Sequence, residues 1–344
     1  MCREFLGIRK LCVILAAGLI LACWGSFAQA ITLNWSTVGD PGNAADPTTT
    51  FGAVPYTYSI TSFDITTGQY AAFLNAVAAT DTYGLYTGGM SGMSSYFPTY
   101  YSANVGIVQN GTAGNFTYST IGSPNVPVFD VSWGDAARLA NWLQNGQPTN
   151  LGEAGGSTET GAYTLNGATT APVLMGISRN TNAVYAIPNV NEWYKAAYYK
   201  GGGINTGYWL YATQNNSLPS NALSMTGTNN ANFENPMPTD ISSPLTTVGT
   251  FAASPGPYGT YDMNGDVYQW TEEVPSSGIR GVRGGSWGST FAALPSSFDV
   301  GQDPTVQLPT EGIRLVMLTV PEPATWLLAT CGAAGLWFAR RRRR

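Results

Sequence analysis

Apolar residues recur with helical spacing in three segments of this sequence, 67–79, 132–144 and 189–199. In the first they fall at i, i+3, i+4 and i+7, which places them on one face of a helix: Tyr70, Phe73, Leu74 and Val77. The other two segments each open with a pair of polar residues typical of a capping box: Ser132 with Asp135, and Asn189 with Glu192. These patterns predict three helices that pack against a core.

Short runs rich in β-branched and aromatic residues predict strands, at 56–63, 126–131, 163–165 and 183–187. Two stretches rich in Gly, Ser and Asn, 83–125 and 201–247, show no period. We expect the first to be an insertion or long loop and the second to be irregular. The sequence contains no internal repeat and no linker long enough to divide it. It therefore predicts a single α+β domain with much irregular structure.

The N-terminal end carries a secretion pattern. Basic residues precede an apolar run over 11–22, and Ala28-Gln29-Ala30 has the small-x-small form of a cleavage site, so we expect a signal peptide over 1–30. The apolar run is shorter than the roughly 20 residues of a membrane-spanning helix. An uncleaved anchor and a lipoprotein cut before Cys23 are the alternatives.

The C-terminal end carries a second sorting pattern. Pro321, Glu322 and Pro323 precede an apolar stretch over 324–339 and a terminal run of arginines. This order resembles the PEP-CTERM signal of Gram-negative bacteria, which an exosortase processes. The resemblance implies a short transmembrane segment with cytoplasmic arginines before processing, and a cell-surface or extracellular protein afterwards. An ordinary tail anchor is the alternative. The predicted organisation is 1–30, 31–319 and 320–344.

Removal of both ends leaves a domain with restricted chemistry. All four cysteines lie in the end segments and the chain has no histidine, so 31–319 contains no disulfide, thiolate or imidazole site. The domain keeps 7 of the 15 basic residues and 18 of the 20 acidic ones, a net charge of about −11. Such a charge disfavours nucleic acid as a partner and is compatible with calcium.

Four ordered blocks between residues 52 and 316 resemble the formylglycine-generating enzyme (sulfatase-modifying factor) family. They are 63–75, 127–136, 187–197, and a C-terminal group comprising 259–270, 283–287 (Arg-Gly-Gly-Ser-Trp) and 312–314 (Gly-Ile-Arg). The resemblance implies an irregular α+β fold related to C-type lectins, with little regular secondary structure.

The resemblance also implies chemistry that this sequence lacks. Sulfatase-activating members bind copper through a cysteine pair shortly after the Arg-Gly-Gly-Ser block, and the matching stretch here, 287–296, has no cysteine. Histidine ligands of iron-dependent relatives are absent as well. We therefore expect no copper and assign no catalytic residue. The adjacent acids Glu272 and Glu273 are the remaining acid–base candidates, with a solvated turn as the alternative.

The resemblance also implies a calcium-binding loop, whose positions are present in this sequence. The matching ligand positions are Asp262, the carbonyls of Gly265 and Val267, and Gln269. Gln269 replaces the usual glutamate, which removes one charge from a site that needs anionic oxygens, and Asp266 replaces the usual asparagine. A second implied site uses Asn232 and the carbonyl of Phe233, with Asp240 as a further candidate. A tight turn packed by its aromatic residues is the alternative to calcium.

Two arginines, Arg283 and Arg314, lie in glycine-flanked blocks of the same resemblance. A guanidinium can satisfy several buried carbonyls or a carboxylate at once, so we expect structural roles, with ligand contact as the alternative.

The sequence leaves two functions of different class. The first is a non-catalytic, calcium-dependent surface module that signal peptidase and exosortase process and that binds an exopolysaccharide or a surface protein. The second is an enzyme of the same family that modifies an exported protein through an unidentified centre. The absence of thiols and imidazoles favours the first.

Overall fold

The structure, a computed structural model that describes residues 30–92 and 104–318, has helices where the apolar spacing predicts them. The helices are α1 (Thr67–Val77), α2 (Trp133–Gln144), the short α3 (Ala171–Met175) and α4 (Val190–Tyr198). All but α3 begin with a capping box, at Thr66, Ser132 and Asn189. The sequence does not predict α3, because five residues are too few to show a helical period.

Within the described residues, ten short strands form three sheets. The strands are β1 (Trp35–Val38), β2 (Tyr58–Thr61), β3 (Gly106–Asn110), β4 (Thr117–Ile121), β5 (Tyr185–Ala186), β6 (Tyr268–Trp270), β7 (Arg280–Arg283), β8 (Val300–Gln302), β9 (Glu311–Gly312) and β10 (Val316–Leu318). The sheets have the orders β1-β2-β10-β5, β3-β4 and β8-β7-β6-β9. Since β10 pairs with β2, the two ends of the domain close on each other.

Two predicted strands are wrong. The segment 126–131 makes only an isolated bridge, between Thr66 and Pro127, because proline has no N–H to donate to a ladder. The segment 163–165 is also outside any strand. There the side chain of Asn141 accepts from the N–H of Tyr163 at 2.7 Å and donates to its carbonyl at 3.0 Å, so a side chain takes the place of a neighbouring strand.

The two aperiodic stretches differ from each other. The stretch 83–125 is not only a loop, because its described part contains the antiparallel hairpin of β3 and β4. The stretch 201–247, all of which is described, has isolated bridges but neither a helix nor a strand, as predicted. The observed molecule thus confirms the irregular α+β fold class.

The core is built around fully buried tryptophans. Phe73 of α1 packs on Trp142 of α2 with ring centroids 5.2 Å apart. The indole N–H of each of these four residues is satisfied: Trp133, Trp142 and Trp270 donate to backbone carbonyls, and Trp193 donates to Gln269. This last contact ties α4 to β6.

Candidate functional site

The loop over 262–266 turns sharply before β6. Asp262, Gly265 and Asp266 all have positive φ, of 57°, 81° and 59°. Glycine is required at 265, since a Cβ there would lie 2.1 Å from the carbonyl oxygen of Asn232. The N–H of Asp266 donates to that carbonyl at 2.9 Å. The loop and Asn232, which the sequence placed in separate calcium sites, are therefore in contact.

The side chain of Gln269 is fully used by protein hydrogen bonds. Its Oε1 accepts from Nε1 of Trp193 at 2.6 Å and from Nε of Arg314 at 3.0 Å. Its Nε2 donates to the carbonyl of Asp262 at 2.9 Å. An amide oxygen has two lone pairs, so Gln269 has none left for a cation and does not fit as a calcium ligand.

Asp262 has one carboxylate oxygen that fits a cation. Its Oδ2 accepts from the N–H of Gly249 at 2.6 Å, whereas its buried Oδ1 has no hydrogen-bond partner. The residue lines an enclosed cavity of about 10 Å³, which also has Thr213, Asn230 and Ser254 in its wall. Burial raises the pKa of the Asp262 carboxyl, against the hydrogen bond from Gly249. The cavity is of the size that holds about one water or ion.

The second predicted calcium site is occupied by internal hydrogen bonds. Nδ2 of Asn232 donates to Oδ1 of Asp266 at 2.9 Å, and the carbonyl of Phe233 accepts from a side-chain amide at 3.1 Å. Asp240 accepts from the N–H of Ser242 at 2.7 Å. Across 30–92 and 104–318, no group of three or more acidic, histidine or cysteine side chains could hold a metal ion. A calcium site here would depend on Asp262 and on neutral oxygens.

Arg314 lies at the centre of a buried group of charges. It is 0% exposed, and its Nη2 lies 3.2 Å from Oδ1 of Asp64. It also donates to the carbonyls of Thr61 and Tyr261 at 2.6 and 2.7 Å. Burial raises the pKa of Asp64 well above its usual range, while Arg314 lowers it and Asp262 raises it further. These contacts give Arg314 a structural role.

Arg283 is also held inside the fold. Its Nη2 lies 3.2 Å from Oε2 of Glu273 and 3.1 Å from Oδ1 of Asp299. Its Nη1 donates to the carbonyl of Phe298 at 2.9 Å, and the guanidinium lies over the ring of Phe51. The side chain thus links β7 to the segments around it.

Hydroxyl groups lie in the region that the resemblance assigns to the cysteine pair. Oγ of Ser289 donates to the Tyr268 hydroxyl at 3.0 Å and lies 2.9 Å from Oγ of Ser286. Burial raises the pKa of Tyr268, against the hydrogen bond from Ser289. The cluster supplies hydrogen bonds, but neutral hydroxyls do not replace thiolates as copper ligands.

The adjacent acids Glu272 and Glu273 pair with different arginines. Oε2 of Glu272 lies 2.9 Å from Nη2 of Arg179, whereas Glu273 pairs with Arg283 at 3.2 Å. Burial raises the pKa of both carboxyls, and the arginine beside each lowers it. Each acid is committed to its own ion pair, so the two do not form a shared acid–base site.

Arg179 is the site residue that the sequence analysis missed. It donates to both carboxylate oxygens of the fully buried Glu192, each at 2.9 Å, and pairs with Glu272. Burial alone would lower the pKa of Arg179, but the two carboxylates hold it above its ordinary value. The sequence signal that could have found it is the small number of basic residues: a domain with 7 basic and 18 acidic residues is expected to pair its arginines with carboxylates.

The comparisons with known proteins identify the two parts of the chain. Residues 23–318 match the family model of the sulfatase-modifying factor enzyme 1-like domain, and residues 319–344 match the PEP-CTERM protein-sorting motif. The sorting residues Pro321, Glu322 and Pro323 and the predicted span 324–339 lie outside the described residues. Within the described residues, no helix is long and apolar enough to cross a membrane.

Several solved structures are similar to this chain. "Crystal Structure of CarF" matches at 20% identity and TM-score 0.49, over 85% of this chain and 100% of that one. Treponema denticola variable protein 1 matches at 16% identity and TM-score 0.47, over 84% and 96%. PvdO from Pseudomonas aeruginosa matches at 15% identity and TM-score 0.38, over 84% and 93%. A search of curated proteins found no match. On its family-model match, the chain belongs to the sulfatase-modifying factor enzyme 1-like family, as an exported protein with a PEP-CTERM signal for exosortase processing.

Proposed function

We propose that this protein is a non-catalytic binding module that acts at the cell surface or in the extracellular space after C-terminal processing. The observation that carries the proposal is the absence of cysteine over 287–296, where the family's copper ligands are expected. The commitment of Glu272 and Glu273 to separate ion pairs supports it, because acid–base catalysis needs a group that is free to exchange a proton.

The partner of this module is an exopolysaccharide or a surface protein. A domain with a net charge of about −11 repels anionic polymers, which favours neutral or basic partners. We further propose that calcium binds at Asp262, on the strength of its unpartnered buried Oδ1. Gln269 contributes no ligand in this proposal.

The test of the non-catalytic role is an oxidation assay. The mature secreted protein is incubated in air with a sulfatase-type peptide that contains cysteine, with and without copper, and the products are analysed by mass spectrometry. We expect no formylglycine above a no-protein control, while a family member that retains the cysteine pair converts the peptide. Turnover by this protein would contradict the proposal and support the alternative of an enzyme with an unidentified centre.

A further inference from the structure

A cavity of about 280 Å³ lies at the N-terminus of α4, where this helix meets the loop after β6. It shares no lining residue with the cavity beside Asp262. Its polar lining comes from four separate segments: Ser178 and Arg179, Asn189 and Asn191, Glu272 and Glu273, and Arg280. Ile177 and Val190 add apolar surface. A concave site with a few converging polar groups and apolar walls is the usual form of a small-ligand pocket.

A larger cavity, of about 380 Å³, lies beside the start of α1, but two of its polar side chains, Gln69 and Asp64, are engaged or buried within the protein. Gln69 caps the helix, accepting from the N–H of Thr66 and donating to the carbonyl of Thr32. Both carboxylate oxygens of Asp64 make no hydrogen bond, but they are buried from solvent, and Oδ1 is ion-paired with Nη2 of Arg314 at 3.2 Å. Size alone therefore does not make it the better ligand site.

The charges around the α4 cavity cancel. Among its lining residues two arginines face two glutamates, and each glutamate is ion-paired within the protein. Arg280 donates to the carbonyls of Leu174 and Ile177 at 2.8 and 2.6 Å. Because no lining charge lacks a counter-charge or hydrogen-bond partner, an ionic ligand would have to displace an existing pair. The cavity is suited to a neutral ligand.

Free hydrogen-bonding groups remain at the cavity. Oδ1 of Asn191 accepts from the N–H of Gly52 at 2.9 Å, which orients the amide and leaves its Nδ2 without a partner among the described residues. Oε1 of Glu273 and Oγ of the exposed Ser178 likewise make no hydrogen bond within that part of the chain. The three groups are a donor, an acceptor and a hydroxyl that is both. This set matches ligand hydroxyls, which donate and accept.

We propose that this cavity binds a neutral saccharide unit. The sugar hydroxyls bond to Ser178, Asn191 and Glu273, while its C–H face packs on Ile177 and Val190. Ion-paired glutamate and arginine are rigid and make charge-assisted hydrogen bonds, yet the balanced charge attracts no anionic or cationic competitor. The inference rests on the proposed function, because it supplies the ligand site that a binding module needs.

The test is a titration of the full mature protein by calorimetry. The probes are methyl glycosides of neutral hexoses, neutral oligosaccharides, a uronic acid and an amino sugar. We expect saturable binding of at least one neutral sugar, unchanged by about 0.5 M salt, and no binding of the charged sugars. Two further arms use polysaccharide from the culture medium and glycan from the cell envelope, which identify the natural source.

A pocket-filling variant locates the site. Ser178 is exposed, so Ser178→Trp does not disturb the core, and it should weaken binding about tenfold or more. Ser119→Trp, at an exposed position of β4, is the matched control and should bind as the unaltered protein does. Glu273→Gln, which exchanges an acceptor for a donor, should weaken binding severalfold while the melting curve still shows a cooperative transition.

Three results would overturn the inference: no neutral sugar binds, Ser178→Trp leaves binding unchanged, or charged sugars bind best with a steep salt dependence. Each of these results is compatible with the absence of formylglycine formation in the peptide assay. In that case the assignment of the pocket fails and the non-catalytic function stands. Formylglycine formation, in contrast, would refute the non-catalytic function whatever the sugar titration shows.

Discussion

At the residue scale, the arginine side chains of this domain neutralise buried carboxylates and satisfy buried carbonyls. All five lie within hydrogen-bond or ion-pair distance of carboxylates or carbonyls: Arg138, Arg179, Arg280, Arg283 and Arg314. A guanidinium stays protonated even when buried, so each needs such partners. Removing one partner of a buried pair costs about 3–5 kcal/mol. Substitution of these arginines should therefore be poorly tolerated. The candidate binding residues Ser178 and Asn191 lie beside the ion pairs and are not part of them.

Calcium should raise the melting temperature slightly through Asp262. At millimolar calcium a sub-millimolar site contributes on the order of 1 kcal/mol, which corresponds to about 2–4 °C for a domain of this size class. Melts in calcium and in chelator should differ by this amount, and Asp262→Ala should abolish the difference. Identical melts of the unaltered protein in both solutions would contradict the calcium proposal.

Gln269→Glu should make the loop dependent on the metal. The substitution replaces the N–H that donates to the Asp262 carbonyl with a carboxylate oxygen, so two oxygens face each other. We expect a lower melting temperature than the unaltered protein in chelator and a larger gain on adding calcium. A variant that is equally stable in both solutions would show that the loop is only a turn.

At the scale of elements, side-chain amides take the place of missing strands. Nδ2 of Asn141, on α2, donates to the carbonyls of Thr158 and Tyr163, and its Oδ1 accepts from the N–H of Tyr163. Asn75, on α1, makes the same kind of contact with both backbone groups of Tyr118. Asn141 thus fixes an irregular segment to α2 without a ladder, and Asn75 fixes the β3–β4 hairpin to α1.

Asn141→Leu should destabilise the domain by about 3 kcal/mol or more, because it leaves three buried backbone groups unpaired at about 1–3 kcal/mol each. Denaturant unfolding followed by tryptophan fluorescence measures the loss. Asn75→Leu is the matched control: it removes equivalent bonds at an exposed position, where water replaces them, so its cost should be smaller. Equal costs would contradict this account of Asn141.

For the whole molecule, buried carboxyls make stability dependent on pH. Burial raises the pKa of Asp135 to about 6 and of Glu311 to about 7, and it raises those of Asp262 and Asp266 as well. The lowered pKa of Asp46 acts in the opposite sense. The folded state binds these protons more tightly than the unfolded chain does, so proton binding stabilises the folded state. This contribution to the free energy of unfolding is complete below the ordinary aspartate pKa of 3.8, and it is lost as pH rises through about 6–7.

The free energy of unfolding should therefore fall between about pH 5 and pH 7.5. Asp266→Asn keeps an oxygen for the N–H groups of Asn232 and Thr246 and removes one buried charge. This variant should be more stable than the unaltered protein near neutral pH and should have a flatter profile. A free energy of unfolding that rises with pH would show that carboxyls with a lowered pKa, such as Asp46, dominate.

Processing should remove both ends of the whole chain. The mature protein should begin near Ile31 and end near the Pro-Glu-Pro segment at 321–323. Intact-mass measurement of the protein from its native host checks both ends at once. Recovery from the surface fraction of a form that still carries Arg340–Arg344 would contradict exosortase processing.

The sequence by itself determined three of the helices, the C-terminal sorting motif and the excluded chemistry. Helical period and capping boxes are local signals, so α1, α2 and α4 appear where the pattern predicts them. Missing cysteine and histidine exclude thiolate and imidazole sites whatever the fold. Family membership also followed from the order of local blocks.

Only the tertiary structure decided which side chains are free to bind. Gln269 matches a ligand position in the sequence, but Trp193 and Arg314, distant along the chain, use its oxygen. Arg179 and Glu272 form an ion pair although they are 93 positions apart in the sequence, which no local pattern reveals. Whether an oxygen or an N–H is available depends on the partner that folding brings to it. That information is nonlocal, so composition and spacing do not contain it.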